Sequence, residues 1–204
     1  MHASGHIINV NSALLGLANL NETLDIEGLM RNTQSQLTGE LRDLASQFAV
    51  LRANGNPLCG EVDLGILEQY AKLATNVGVT TASELYASLD DDSMSSYKTV
   101  SNQDDFPLRF YTAQNAETLS IEQGLARLQD AQQHCNDKLY IGSCKLIVDG
   151  SIQSFTARLE WPGYHNGVAN GAWKQAPQTM RQMIHDYHKA GVQLHIHVNG
   201  DQAI

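Results

Sequence analysis

The chain has 204 residues, enough to bury one substantial core, and its 42% hydrophobic and 17% charged residues are those of a folded domain rather than a disordered segment. Thirteen basic against twenty-two acidic side chains leave a net charge of −9, which disfavours a phosphate backbone and argues against nucleic acid as a partner. The longest apolar runs, such as "CKLIV" and "FAVL", fall far short of the roughly 20 residues needed to cross a bilayer, so no membrane span is expected.

The first residues, "MHASGHIINV", lack the basic flank and apolar core of a secretory signal, which makes a cytoplasmic location the default expectation, with an upstream signal left open. Residues 8–20 place apolar side chains three and four apart and predict a short helix capped by Asn11 or Ser12. "TGELRDLASQFAVLRANGNP" has helical spacing through Leu41, Leu44, Phe48 and Leu51, with "NGNP" as its stop. A further helix is expected from Val62 to Thr75. "VGVTTASEL" reads as a buried strand running into a loop. The polar stretch from Ser88 to Phe106, with acid clusters at Asp90 to Asp92 and Asp104 to Asp105, reads as an exposed loop or the solvated face of a helix.

Beyond it, "PLRFYTAQ" is strand-like, "LSIEQGLARLQDAQQH" is helical in period and "KLYIGSCKLIVDGS" is strand-like again. "APQTMRQMIHDYHKAG" is a helix with Pro177 near its start and Gly191 beyond its end, and "VQLHIHVNGD" is a final strand. About four strands alternating with helices predict an α/β fold with a parallel sheet, either doubly wound or an (α/β)8 barrel. Cys59, Cys135 and Cys144 are odd in number and widely spaced, and read as reduced, mostly buried thiols.

Three groups of residues could carry chemistry. Strand alternation points His195 and His197 to one face and Leu194, Ile196 and Val198 to the other, and functional groups collect at the carboxyl ends of parallel strands. An HxH pair fits either metal ligation or a pair of hydrogen-bonded strand histidines. Lys145 is the second feature: an ammonium inside "SCKLIVDGS" costs desolvation energy unless it is paired, neutralised or snorkels to water. Alternation groups it with Ile147 and Asp149, and the sharper reading gives it a role in catalysis or covalent modification. The third is "HASGH", whose His2, Ser4 and His6 fit a substrate-contacting loop better than a helical metal pair. Gly200–Asp201 fits a turn with Asp201 as a helix cap. No phosphate-binding glycine motif is present.

Taken in order, "HASGHIINVNSALL", "TGELRDLA", "GVTTASEL", "CKLIVDGSIQSFTARLEWPGY" and "HIHVNGDQAI" resemble amidohydrolase family 3, the metal-dependent branch that includes N-substituted formamide deformylase. The resemblance runs the length of the chain. It implies part of an amidohydrolase-type (β/α)8 TIM barrel, approximately strands two to five, in a hydrolase of small amides or formamides that uses one or two divalent ions, zinc foremost. By the same resemblance Lys145 is the strand lysine that can be carboxylated to bridge metals, His197 the metal-binding histidine of "HxxGD", and Asp201 its acidic partner with an orienting role. His195 faces the same way but lies outside that pattern and is a weaker metal candidate. His2 and His6 would shape the substrate pocket, and the reading of "DGS" as the strand-to-loop exit adds Asp149 to it.

The family's first-strand HxH pair, sixth-strand histidine, eighth-strand aspartate and β-sandwich have no counterpart in these residues. A barrel of this kind takes ~250 residues, so the chain is expected to be an internal fragment, weak in zinc binding and inactive by itself, and possible self-association follows from its open strand edges. The competing expectation is a non-catalytic fragment or degenerate barrel module with a structural or assembly role. A rival enzyme that used "HIH" as a first-strand pair would need about seven further strands after residue 204.

Overall fold

The computed structural model describes residues 5–26, 28–53 and 64–204. They fall into two compact units. One comprises the described residues up to 53 with Asp149–Lys174 and Val198–Ile204; the other runs from 64 to 148 and adds Gln175–His197.

The first unit contains β1 (Ile7–Asn9), α1 (Ser12–Leu17), β2 (Leu29–Arg31), β3 (Leu37–Arg42) and α2 (Asp43–Ala53), with the strands antiparallel in the order β1-β3-β2. Asn11 caps α1 as expected, its side-chain oxygen accepting from Leu14 N at 3.0 Å. The sheet is a correction to the sequence reading, which had Leu41 in a helix. Leu41 belongs to β3, where burial alternates with period two and Leu41 packs into a core of Ile8, Leu15, Leu20, Leu29 and Val50. Gly39 permits this strand: its φ is +83°, and a Cβ there would lie 2.2 Å from the Val10 carbonyl oxygen. The helix starts only at Asp43, and its expected "NGNP" stop lies outside the described residues.

The second unit matches the expected alternation. In chain order it has α3 (Leu64–Asn76), β4 (Thr81–Ala87), α4 (Asp91–Ser101), β5 (Arg109–Asn115), α5 (Ile121–Gln132), β6 (Leu139–Ile147), α6 (Pro177–Lys189) and β7 (Gln193–His197). The four strands are parallel, in the order β4-β5-β6-β7. Of the expected Val62–Thr75 helix, residues 62 and 63 lie outside the described residues. The "VGVTTASEL" strand forms as β4 but is not buried. Among the described residues it is an edge strand with one neighbour, and only its Ala87 is fully enclosed.

The acidic stretch folds as α4. Asp90 is its N-cap, held below the ordinary carboxyl range by hydrogen bonds from Ser93, while Asp91 and Asp92 favour the positive end of the helix. Ser120 and Gln123 form a reciprocal capping box on α5, and Pro177 opens α6. Cys144 is buried, whereas Cys135 is exposed, a correction to the expectation of buried thiols; Cys59 lies outside the described residues. Among the described residues no helix is long and apolar enough to cross a membrane.

Candidate metal centre

The parallel sheet has two unlike faces. On one, Cys144 and Leu146 are buried and Gln114 donates to the Gly124 carbonyl of α5 at 3.0 Å, with Tyr187 of α6 against the same glycine. This is the helix-covered core. The other face carries Tyr111, Tyr140, Ser143, Lys145, Ile147, His195 and His197, and Tyr140 is 55% exposed there.

A bulge sets which residues share that face. Thr112 pairs with Ile141 and Ala113 with Ser143, so Gly142 is skipped and the alternation of β6 is reset. Tyr140 and Ser143, three apart, therefore project together, and the Tyr140 ring occupies the space where a Gly142 side chain would be. Lys145 pairs with His195 and Ile147 with His197 in adjacent parallel strands. Three of the expected site residues, Lys145, His195 and His197, are thus brought onto one open face near the carboxyl ends of β6 and β7.

Their environments differ. Lys145 is half-buried, and among the described residues its ammonium has no hydrogen-bond or ion-pair partner. His195 is also half-buried, and its Nε2 lies 3.1 Å from the Tyr111 hydroxyl, which in turn donates to Ser143 Oγ at 2.9 Å. His197 ends β7 and is exposed; its main-chain oxygen accepts from Val148 N at 3.0 Å, which continues the ladder past the strand.

Glu117, not singled out by its sequence context, sits beside this end of the sheet. Its carboxylate accepts from the Tyr86 hydroxyl at 2.8 Å and from Ile147 N, so one side chain ties the ends of β4 and β6 to the loop after β5. Burial, reinforced by that carboxylate, pushes the Tyr86 phenol well above its ordinary value.

Asp149 and Asp201 lie in the first unit. Asp149 lies two residues past the end of β6. It is 1% exposed, and its carboxylate accepts three backbone N–H groups: Asn199 at 2.9 Å on Oδ1, and Gly200 at 2.8 Å and Arg158 at 2.9 Å on Oδ2. Such a carboxylate holds a loop in place and has little capacity left for a substrate. Asp201 opens a 3-10 turn at Asp201–Ala203 whose N-cap is Gly200, so it is not the cap expected from the sequence. Its Oδ1 instead accepts from Glu160 N at 2.8 Å.

Arg158 completes this cluster, donating to Gln202 Oε1 at 3.0 Å and to the Gly171 carbonyl at 2.7 Å, with its guanidinium over the Trp173 ring. His6 is half-buried in the bend before β1, in the first unit, and His2 lies outside the described residues.

Among the described residues no group of three or more His, Cys, Asp or Glu side chains is close enough to hold a metal ion. The donors at hand nevertheless suit a partial site. An imidazole and an uncompensated lysine share a face, and carboxylation would turn that lysine into an anionic oxygen donor of the kind zinc and related ions accept beside nitrogen.

An α/β unit with helices on one face of its parallel sheet and candidate ligands on the other is an arrangement that a segment of a (β/α)8 barrel would have. The sequence profile described as the Amidohydrolase family matches residues 1–204, and the chain belongs to that family. Two solved structures are similar in fold. One is an uncharacterized metal-dependent hydrolase from Pyrococcus horikoshii OT3, at 15% identity and a TM-score of 0.59 over 97% of this chain and 38% of that one. The other is an uncharacterized metal-dependent hydrolase from Pyrococcus furiosus, at 17% identity and a TM-score of 0.58 over 97% of this chain and 39% of that one. The fold is therefore part of an amidohydrolase-type barrel, and the chain spans about two fifths of the length of the structures it matches. The comparison with curated proteins finds no match.

Proposed function

We propose that this chain contributes part of the metal centre of a hydrolase that cleaves carbon-nitrogen bonds, with small amides or formamides as substrates and zinc as the ion. The observation that carries the reading is Lys145, a half-buried lysine with no counter-charge among the described residues, on the same open face as His197 of the neighbouring strand. A cation so placed loses hydration without recovering it in an ion pair. Addition of carbon dioxide to the neutral amine, with loss of one proton, gives a carbamate and removes that penalty by making the group an anionic oxygen ligand. Family membership and the two metal-dependent hydrolases of similar fold support the same reading.

In this proposal the Lys145 carbamate and the His197 imidazole hold the ion, and the weaker candidate His195 is adjacent. A bound divalent ion would supply Lewis acidity and lower the pKa of water in the site. The residues of the chain do the positioning. Asp149 fixes the loop that follows His197, Glu117 holds the amide two residues beyond Lys145, and Asp201 orients the Glu160 backbone within the first unit. The proposed surroundings of the substrate include His2 and His6, and self-association is proposed for the open strand edges. The non-catalytic reading expects Lys145 to be paired or extended into water; among the described residues it is not paired, so the carbamate resonance is what separates the two readings.

The test is metal and carbamate together on the 204-residue chain. With two donors, zinc binding is expected to be weak, in the micromolar range or above, to be lost in His197→Ala and Lys145→Ala, and to bring no turnover of formamides. With 13C-bicarbonate the chain should give a carbamate carbonyl resonance that Lys145→Ala abolishes. Zinc affinity unchanged in both variants and no such resonance would refute the assignment, and tight zinc retention with formamide turnover would refute the partial site.

A further inference from the structure

The pair His195 and His197 is split by a hydrogen-bond chain that reaches only the first of them. Tyr111, in the strand next but one to β7, stacks on Tyr140 with ring centroids 5.4 Å apart and an interplanar angle of 23°, and meets the His195 ring edge-on at 5.8 Å and 70°. Its hydroxyl donates to Ser143 Oγ at 2.9 Å, and the same oxygen lies 3.1 Å from His195 Nε2. Ser143 is fully buried and Tyr111 is half-buried, which shields both bonds from exchange with water.

A phenol has one proton to give. With that proton directed to Ser143, the Tyr111 oxygen can only accept at its second contact, so His195 must be the donor through Nε2–H. We infer that Tyr111 is a positioning residue that locks His195 in the Nε2–H tautomer and leaves Nδ1 as its one nitrogen with a free lone pair. The neutral imidazole has one donor and one acceptor nitrogen, and the hydrogen bond made by one decides what the other can do. His195 therefore meets any bound molecule as a hydrogen-bond acceptor through Nδ1, suited to a group with an N–H or O–H to donate. This separates the two histidines, and it stands apart from the metal-dependent reading because it needs only Tyr111, Ser143 and His195.

Long-range 1H–15N correlation spectra of the full 204-residue chain, recorded at about pH 8.5 where an ordinary imidazole is neutral, read the tautomer directly. The parent is expected to show His195 as Nε2–H. Ser143→Ala removes the acceptor, so the phenol turns its proton toward His195 and the tautomer should switch to Nδ1–H. A merely structural contact gives no such switch. Tyr111→Phe removes the acceptor for Nε2–H, whose exchange with water should speed up at least about tenfold. An Nδ1–H tautomer in the parent, or an unchanged Nε2–H tautomer in a Ser143→Ala chain whose amide spectrum shows it folded, would overturn the inference. If Ser143→Ala does not fold, the Tyr111→Phe arm decides, and an unchanged exchange rate there overturns it equally.

Discussion

Asp149→Asn is the sharpest test of how the loop after β7 is held. The parent carboxylate accepts three backbone N–H groups at 2.8 to 2.9 Å while almost wholly withdrawn from water. An asparagine has the same shape but a single acceptor oxygen. Turned to best advantage, that oxygen keeps Gly200 and Arg158, and each of those bonds falls from a charge-assisted one to a neutral one, a loss of about 1 kcal/mol apiece. The amide nitrogen then faces the Asn199 N–H, leaving a buried donor unmet at a cost of about 1–3 kcal/mol. The expected total is about 3–5 kcal/mol, or roughly 6–20 °C in Tm for a chain of this size. Urea titration followed by circular dichroism measures it, with Asp149→Ala as the more severe comparison. A loss below about 1 kcal/mol would show that the carboxylate is not the anchor that its three bonds indicate, and would reopen a substrate-contacting role.

Gly200→Ala strikes the same cluster sterically. Its Cβ would lie 1.8 Å from the Arg158 carbonyl oxygen, a backbone atom that cannot rotate aside, so a loss of about 2–4 kcal/mol in the urea titration is expected. Glu117→Ala leaves the Ile147 amide and the Tyr86 hydroxyl without their acceptor and should cost about 2–4 kcal/mol, whereas Glu117→Gln, which can still accept from Ile147, should cost less than half of that; Ile147 amide exchange reports the difference. Alkylation mapped by mass spectrometry at about pH 8 should modify the exposed Cys135 and spare Cys144, whose thiol burial raises to about 12, until the chain unfolds. Burial also raises the Tyr97 and Tyr187 phenols to about 12, against about 10 in an unfolded chain. Their contribution to stability is therefore fully present below about pH 10 and is lost as pH rises toward 12, which denaturant midpoints and phenolate absorbance should show together.

The parallel sheet was readable because its strands and helices are long enough to display their periods. Leu125, Leu128 and Gln132 repeat at helical spacing, and the Leu139–Ile147 run is flanked by turn residues. The antiparallel sheet was not readable. β1 and β2 are three residues each, too short for alternation, and the pattern of β3 is continuous with the helix that follows it without a turn between them. Lys145, His195 and His197 were visible as residue types out of place. Tyr111, Ser143 and Glu117 were not, because each acquires its role from a partner 30 or more residues away. Counting by twos from Tyr140 would also have put Lys145 on the opposite face from it. The Gly142 bulge reverses that parity, and only the pairing register reveals a bulge.

Two of the carboxylates nearest the strand ends turn out to do the work of main chain. Past Asn115, the β5–β6 ladder continues with Ala116 N donating to the Lys145 carbonyl at 3.1 Å, and Glu117 then supplies the acceptor for Ile147 N that a strand carbonyl would have supplied. Past His197, Val148 N takes the His197 carbonyl, and within the first unit Asp149 takes the next amides, Asn199 and Gly200. In both places a parallel strand exits the sheet into a loop, where backbone donors lose their regular partners and must find others. A carboxylate satisfies two or three such donors at once and sets the direction in which the chain leaves. Acid–base chemistry would use the same oxygens, so a carboxylate committed to backbone amides has little capacity left for it. Three backbone amides on Asp149 favour an anchoring role for it, and the proposed chemistry of the open face then rests on Lys145, on His197 and, through Nδ1 in the inferred tautomer, on His195.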